Sequence, residues 1–174
     1  MEVPKVGIIM GSISDIDVMS EAAKVLDGFG VSYEMRVLSA HRTPDETTDY
    51  VKNAKQNGLK IIIAGAGGSA HLAGVAAANT VLPVISIPVK RQGHDHEALF
   101  SNVMMPPGIP LATMPENGGK NAGLLTVEIL ALSDSKLTKK YQDFRQKQHD
   151  TVQSADQKLL SDGWQKSLSN IKTK

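Results

Sequence analysis

The chain has 174 residues, 41% of them hydrophobic and 21% charged, enough to bury one substantial core in a soluble globular domain. A formal net charge of +1 sets up no field to recruit nucleic acid or an anionic membrane, and aromatics at 4% leave no stacking platform for bases. The lack of cysteine excludes disulfides, thiolate metal sites and cysteine nucleophiles.

No apolar stretch approaches the roughly 18 residues that span a bilayer. An apolar run begins within five residues of Met1 and leaves no room for a signal peptide, so a cytoplasmic location is expected. Lys5 to Met10 (KVGIIM) is a short solid apolar run and predicts a buried strand. From Asp15 to Phe29, Val18, Met19, Ala22, Ala23, Val25, Leu26 and Phe29 recur at helical spacing, and Gly30 marks the stop. Ser32 to Leu38 predicts a second strand. Thr43-Pro44-Asp45-Glu46 predicts a helix start, with Thr43 as cap, Pro44 in the first turn and Glu46 completing a capping box. That helix is expected to run to about Asn57 and end at Gly58.

Lys60 to Ala64 (KIIIA) predicts a third strand, followed by Gly65-Ala66-Gly67-Gly68. Ala70 to Asn79 predicts a helix and Leu82 to Val89 a fourth strand. Lys90 to Pro110 is irregular, with one or two helical turns expected from Glu97 to Val103. Ile109 to Met114 is a weak fifth strand, and Gly119 to Leu132 returns to helical spacing. Beyond Asp134 the polar tail reads as an extended helix with a thin apolar stripe through Leu137, Tyr141 and Phe144.

Solid apolar strands alternating with helices imply a parallel sheet covered on both faces, joined by right-handed crossovers. Ligands of such sheets bind beyond the carboxyl ends of the strands. Three segments converge there: Gly11 to Asp15, Ser39 to Arg42, and Gly65 to His71. In the first, Ser12 and Ser14 either cap the helix or bind an anion at its positive end, and Asp15 suits a sugar hydroxyl but would repel phosphate. The glycine-rich segment either admits a ligand closely or merely turns the chain, and it has neither Walker nor dinucleotide-binding spacing.

A histidine can give or take a proton near neutrality, and a cation such as Arg42 beside His41 is expected to disfavour the imidazolium. Arg42 itself is a fork-shaped ligand for phosphate or carboxylate. The placement of His41 after a buried strand favours acid–base chemistry over a purely structural role. His71 either orients a ligand or caps the next helix. His94-Asp95-His96 lacks a third ligand and reads as solvated, so no metal site is expected; His149 reads as surface.

"MGSISD" (10–15), "SAHRTP" (39–44) and "IIAGAGGSAHLAG" (62–74), with "MPPGIPLAT" (105–113) and "KNAGLL" (120–125), occur in an order and spacing that resemble the 5-(carboxyamino)imidazole ribonucleotide mutase family of purine biosynthesis. The resemblance covers about residues 5–133. It implies a flavodoxin-like three-layer α/β/α sandwich with a parallel sheet and a C-terminal helical extension. Residues 1–133 would form the nucleotide-binding catalytic domain, and 134–174 a tail packing on neighbouring subunits of a homo-octamer. It implies no metal, ATP, biotin or other cofactor. The matching residues make His41 the general acid–base group. Ser12, Ser14, Asp15, Ser39, Arg42, Gly67, Gly68 and His71 become substrate-binding residues, with Asp15 on the ribose and His71 near the moving carboxylate. Two departures stand out. Ala73 replaces the family's usual proline, and the segment from Gly93 to Pro106 lacks the usual Asp-Ser pair and glutamine. Arg42 and Gly67-Gly68 favour the mutases over the related carboxylases that use free carbon dioxide. A paralogue that binds nucleotide without turnover is the remaining alternative.

Overall fold

The structure, a computed structural model, describes residues 3–93 and 96–172. The chain folds as two compact units, Met1–Leu130 and Ala131–Lys174. In the first, the elements run β1 (Val6–Met10), a 3-10 turn (Ile13–Asp15), α1 (Ile16–Phe29), β2 (Tyr33–Val37), α2 (Pro44–Asn53) and β3 (Ile61–Gly67). They continue with α3 (Leu72–Asn79), β4 (Val84–Val89), α4 (Glu97–Val103), β5 (Ala112–Thr113) and α5 (Gly119–Ala131). The strands form one sheet in the order β2-β1-β3-β4-β5 with every pairing parallel. This is the flavodoxin-like order, and its direction reverses between β1 and β3, where doubly wound sheets open a crevice for ligands.

The solid apolar runs are buried for the expected reason: β1 and β4 are covered along their whole length. On one face Ile9, Ile62, Ala64 and Val84 pack with Val51, Ala54, Leu72 and Ala76 from the α2 and α3 region. Helix α1 turns Met19, Ala22, Ala23, Leu26 and Phe29 inward and ends where Gly30 adopts the left-handed conformation at φ 72°.

Some local expectations are corrected. Thr43 makes no side-chain capping bond to α2. Its hydroxyl instead accepts from Ser39 N at 2.9 Å and donates to Ser39 O at 3.2 Å, tying the 39–43 loop closed and removing the capping box. Helix α2 stops at Asn53, and Leu59 N bonds back to Ala54 O across the turn that follows. Strand β2 is a half-exposed edge, not a solid buried run. Strand β3 continues through its glycines to Gly67, and α1 packs closely on it there: a Cβ on Gly65 would meet the sulfur of Met19.

Strand β5 is only two residues long. Beyond it, the outward-facing groups of β4 are met by a loop. Met114 N donates to Ser86 O, Asn117 N donates to Pro88 O, and Lys90 N donates to Asn117 Oδ1, each at 2.9 Å. Pro88, which has no N–H, sits on that outer side, where a proline removes no ladder bond.

In the second unit, Asp134 Oδ1 accepts from the backbone N–H groups of Lys136 and Leu137 at 3.0 Å, capping the long helix α6 (Ser135–Lys172). Gly163, at φ 75° and ψ 163°, breaks that helix. Tyr141 and Phe144 stack with ring centroids 6.2 Å apart. Among the described residues, no helix is long and apolar enough to cross a membrane.

Candidate active site

The three segments expected at the carboxyl edge of the sheet meet around one cavity of about 300 Å³. Ser12, Asp15, Ser39, His41, Arg42, Gly67 and His71 line it, together with Gly11, Ala66 and Arg91. Of the site residues taken from the sequence, Ser14 and Gly68 lie outside this lining; Ser14 stands behind it through hydrogen bonds, and Gly68 turns the loop at φ 62°.

The first segment separates capping from binding. Ser12 caps the short turn, its Oγ accepting from Ser14 N at 3.3 Å and from Ser14 Oγ at 2.9 Å. Asp15 stands at the start of α1 and makes no side-chain capping bond. Its carboxylate is 1% exposed and pairs with Arg91 Nη2, which also donates to Ser14 Oγ at 3.0 Å. Arg91 went unnoticed in the sequence. It lies in the irregular stretch, two residues past Val89, which pairs with Gly67. Sequence pattern alone could not bring that side chain across β3.

Gly67 shows why Arg91 can lie there. A Cβ at this position would stand 2.7 Å from Arg91 Nε and 2.8 Å from both Arg91 Cγ and Val89 O. The Val89 carbonyl belongs to the sheet and cannot swing away, so Gly67→Ala is expected to displace Arg91 and distort the loop. The measurable result is a cavity of altered shape and a stability loss of about 1–3 kcal/mol, read by urea unfolding.

In the second segment, Arg42 Nη2 donates to Gly11 O at 2.8 Å, and Ser39 Oγ accepts from Arg42 N at 3.2 Å. The arginine thus bridges the ends of β1 and β2 while lining the cavity. His41 reaches the third segment. Its Nε2 lies 2.9 Å from His71 Nδ1, and the two rings meet edge to face with centroids 5.0 Å apart. One nitrogen must donate and the other accept, so the pair holds complementary tautomers and cannot be doubly protonated in this geometry. His71 stands at the start of α3 but makes no side-chain cap there; its ring is used for His41. The glycine loop is also anchored from α4, where the buried Asn102 Nδ2 donates to Ala70 O at 3.5 Å and to Ala98 O at 2.6 Å.

His94 and Asp95 lie outside the described residues. His96 is solvent-exposed, as expected, and bonds through Nδ1 to Glu116 Oε2 at 2.8 Å. Among the described residues, no three of His, Asp or Glu gather as a metal-binding group.

Burial pushes the Asp15 carboxyl above its ordinary value of 3.8, against the opposing pull of Arg91, the Ser12 backbone and Arg42. The native state therefore holds this proton more tightly than the unfolded chain does. Stability contributed at Asp15 is highest at low pH and falls as pH rises from 3.8 through the raised value. In urea unfolding from about pH 4 to 7, the stability of wild type relative to Asp15→Asn is expected to decline with rising pH. A gap that widened instead would mean that pairing with Arg91 outweighs burial.

A family model described as AIR carboxylase matches residues 5–151. The chain is 53% identical to the N5-carboxyaminoimidazole ribonucleotide mutase of Pyrococcus abyssi, over 82% of this chain and 83% of that one. With the mutase of Thermotoga maritima it shares 45% identity over 95% and 97% of the two chains. It is also 49% identical to the phosphoribosylaminoimidazole carboxylase of Saccharomyces cerevisiae, over 96% of its own length but 29% of that longer protein. The crystal structure of Treponema denticola PurE superposes with a TM-score of 0.83 at 29% identity, covering 90% of this chain and 98% of that one.

Proposed function

The chain belongs to the AIR carboxylase family, and from this we propose that it is an N5-carboxyaminoimidazole ribonucleotide mutase, an isomerase of purine biosynthesis. The reaction moves a carboxylate from the exocyclic nitrogen of an aminoimidazole ribonucleotide to the adjacent ring carbon. The observation that carries the reading is the His41–His71 pair, set in the cavity that Arg42 and the Ser12–Asp15 turn also form.

In the proposed sequence His41 protonates the carbamate nitrogen, and the nitrogen–carboxylate bond breaks to release carbon dioxide inside the cavity. The enamine-like ring carbon attacks the trapped gas and forms the new carbon–carbon bond. His41 then takes the proton left on that ring carbon. A single imidazole serves both transfers, and the bond to His71 orients its ring. Confinement supplies the rest, because the gas recombines where it was released. Asp15 takes the ribose hydroxyls, Arg42 with Ser12, Ser14 and Ser39 takes the phosphate, and His71 with Gly67 and Gly68 borders the moving carboxylate. A cytoplasmic homo-octamer, with α6 packing on neighbouring subunits, accords with the exposed Leu160 and Trp164 on that helix.

The test is conversion of the carbamate substrate by purified protein, with a chelator and without ATP or added bicarbonate. Formation of the carbon-linked carboxylate supports the mutase. Product only from unmodified aminoimidazole ribonucleotide plus bicarbonate would replace it with the carboxylase. Binding without conversion would make the chain a nucleotide-binding paralogue.

A further inference from the structure

Building on the nucleotide pocket proposed above, we infer that Arg91 is a specificity residue of that pocket, its guanidinium recognising the nucleotide's phosphomonoester beside Arg42. Arg91 enters the cavity from the end of β4, opposite the loop that carries Arg42. Among the described residues, its two hydrogen bonds, to Ser14 Oγ and to Asp15 Oδ1, both leave from Nη2. A guanidinium carries five N–H donors in a planar fork that matches phosphate.

The exposures of the pair are unequal. The Asp15 side chain is 1% exposed and that of Arg91 35%, so the cation presents the more open side in the cavity wall. Asp15 alone would repel a phosphate. Two arginines against one carboxylate leave a net positive charge around the cavity, and removing Arg91 leaves none. The neighbours of Arg91 also select which anionic group it meets. Ser14 and Asp15 belong to the turn that opens α1, where backbone N–H groups and the helix end favour an anion, whereas the His41–His71 pair holds the part of the cavity set aside for proton transfer. The missing side chain at Gly67 gives the stem of Arg91 a flat seat.

Ribose 5-phosphate is the probe, titrated at several salt concentrations against wild type, Arg91→Met and Arg91→Lys. Arg91→Met keeps a stem over Gly67 but carries no charge. It is expected to weaken binding at least about tenfold and to flatten the salt dependence, while Arg91→Lys restores the slope and part of the affinity. Unchanged affinity in Arg91→Met overturns the inference. So does weakened binding with a wild-type salt slope, which would make Arg91 only a brace for Asp15. The probe needs no turnover, so the two readings fail separately. Wild type that binds ribose 5-phosphate through Arg91 but leaves the carbamate unconverted defeats the mutase alone. Conversion by wild type, with Arg91→Met binding the probe normally, defeats the role of Arg91 alone.

Discussion

Replacing His41 with asparagine is expected to lower kcat by about 10²- to 10⁴-fold while nucleotide affinity stays close to that of wild type. The amide keeps a donor and an acceptor, but at the reach of Nδ1 and not of Nε2, so the contact with His71 lengthens while a neutral polar group of smaller size stays in the cavity. It cannot exchange a proton near neutral pH, and both proposed transfers need that exchange. Single-turnover kinetics read the first quantity and calorimetry with the substrate or product nucleotide the second. If both fell together, His41 would be a binding residue and the acid–base role would be lost. The wild-type pH profile adds a second check. A His-dependent limb of kcat present in wild type must vanish from whatever activity remains in the variant.

The second large effect is structural. Ile62→Ala is expected to lower stability by about 2–5 kcal/mol. Ile62 is 0% exposed near the start of the central strand β3, in the cluster that joins the sheet to Val51, Leu72 and Ala76. Neighbours fixed by backbone pairing on two sides, to Gly7 and to Val84, cannot collapse into the space. In a chain of this length each kcal/mol moves Tm by about 2–4 °C. Urea and thermal unfolding at matched protein concentration measure the loss. A cost below about 1 kcal/mol would show that the cluster repacks freely. Because the same strand ends in the glycine loop, activity measured well below Tm separates lost fold from lost geometry.

The parts of the fold that one segment determines by itself were legible in the sequence. KVGIIM and KIIIA can only be buried strands in a chain of this composition, and Gly30 ends α1 where the apolar spacing stops. The convergence of three loops was legible too, since a parallel sheet places every strand-to-helix turn on one edge. Features that depend on two distant segments were not. His41 and His71 are 30 residues apart, and their 2.9 Å approach follows from the lengths of β1, β2 and β3 together. Arg91 gains its place from the register of β4 on β3, which leaves no local trace. Thr43 has the residue type of a cap, yet a closer partner in Ser39 took its hydroxyl. Strand β5 shrank because side-chain and loop donors can do part of a strand's work.

That substitution bears on how the protein avoids sticking to itself. An open sheet invites a stranger's strand wherever a row of unpaired N–H and C=O groups faces outward. On the outer side of β4 the carbonyls of Ser86 and Pro88 and the N–H of Lys90 are already taken by Met114 and Asn117, and Pro88 offers no donor. A chain that has formed β1, β3 and β4 but not yet this loop exposes a largely apolar strand, VISIPV, with that row unguarded. The danger therefore lies in the interval before residues 114–117 arrive, and the bracket works as a gatekeeper against aggregation during folding.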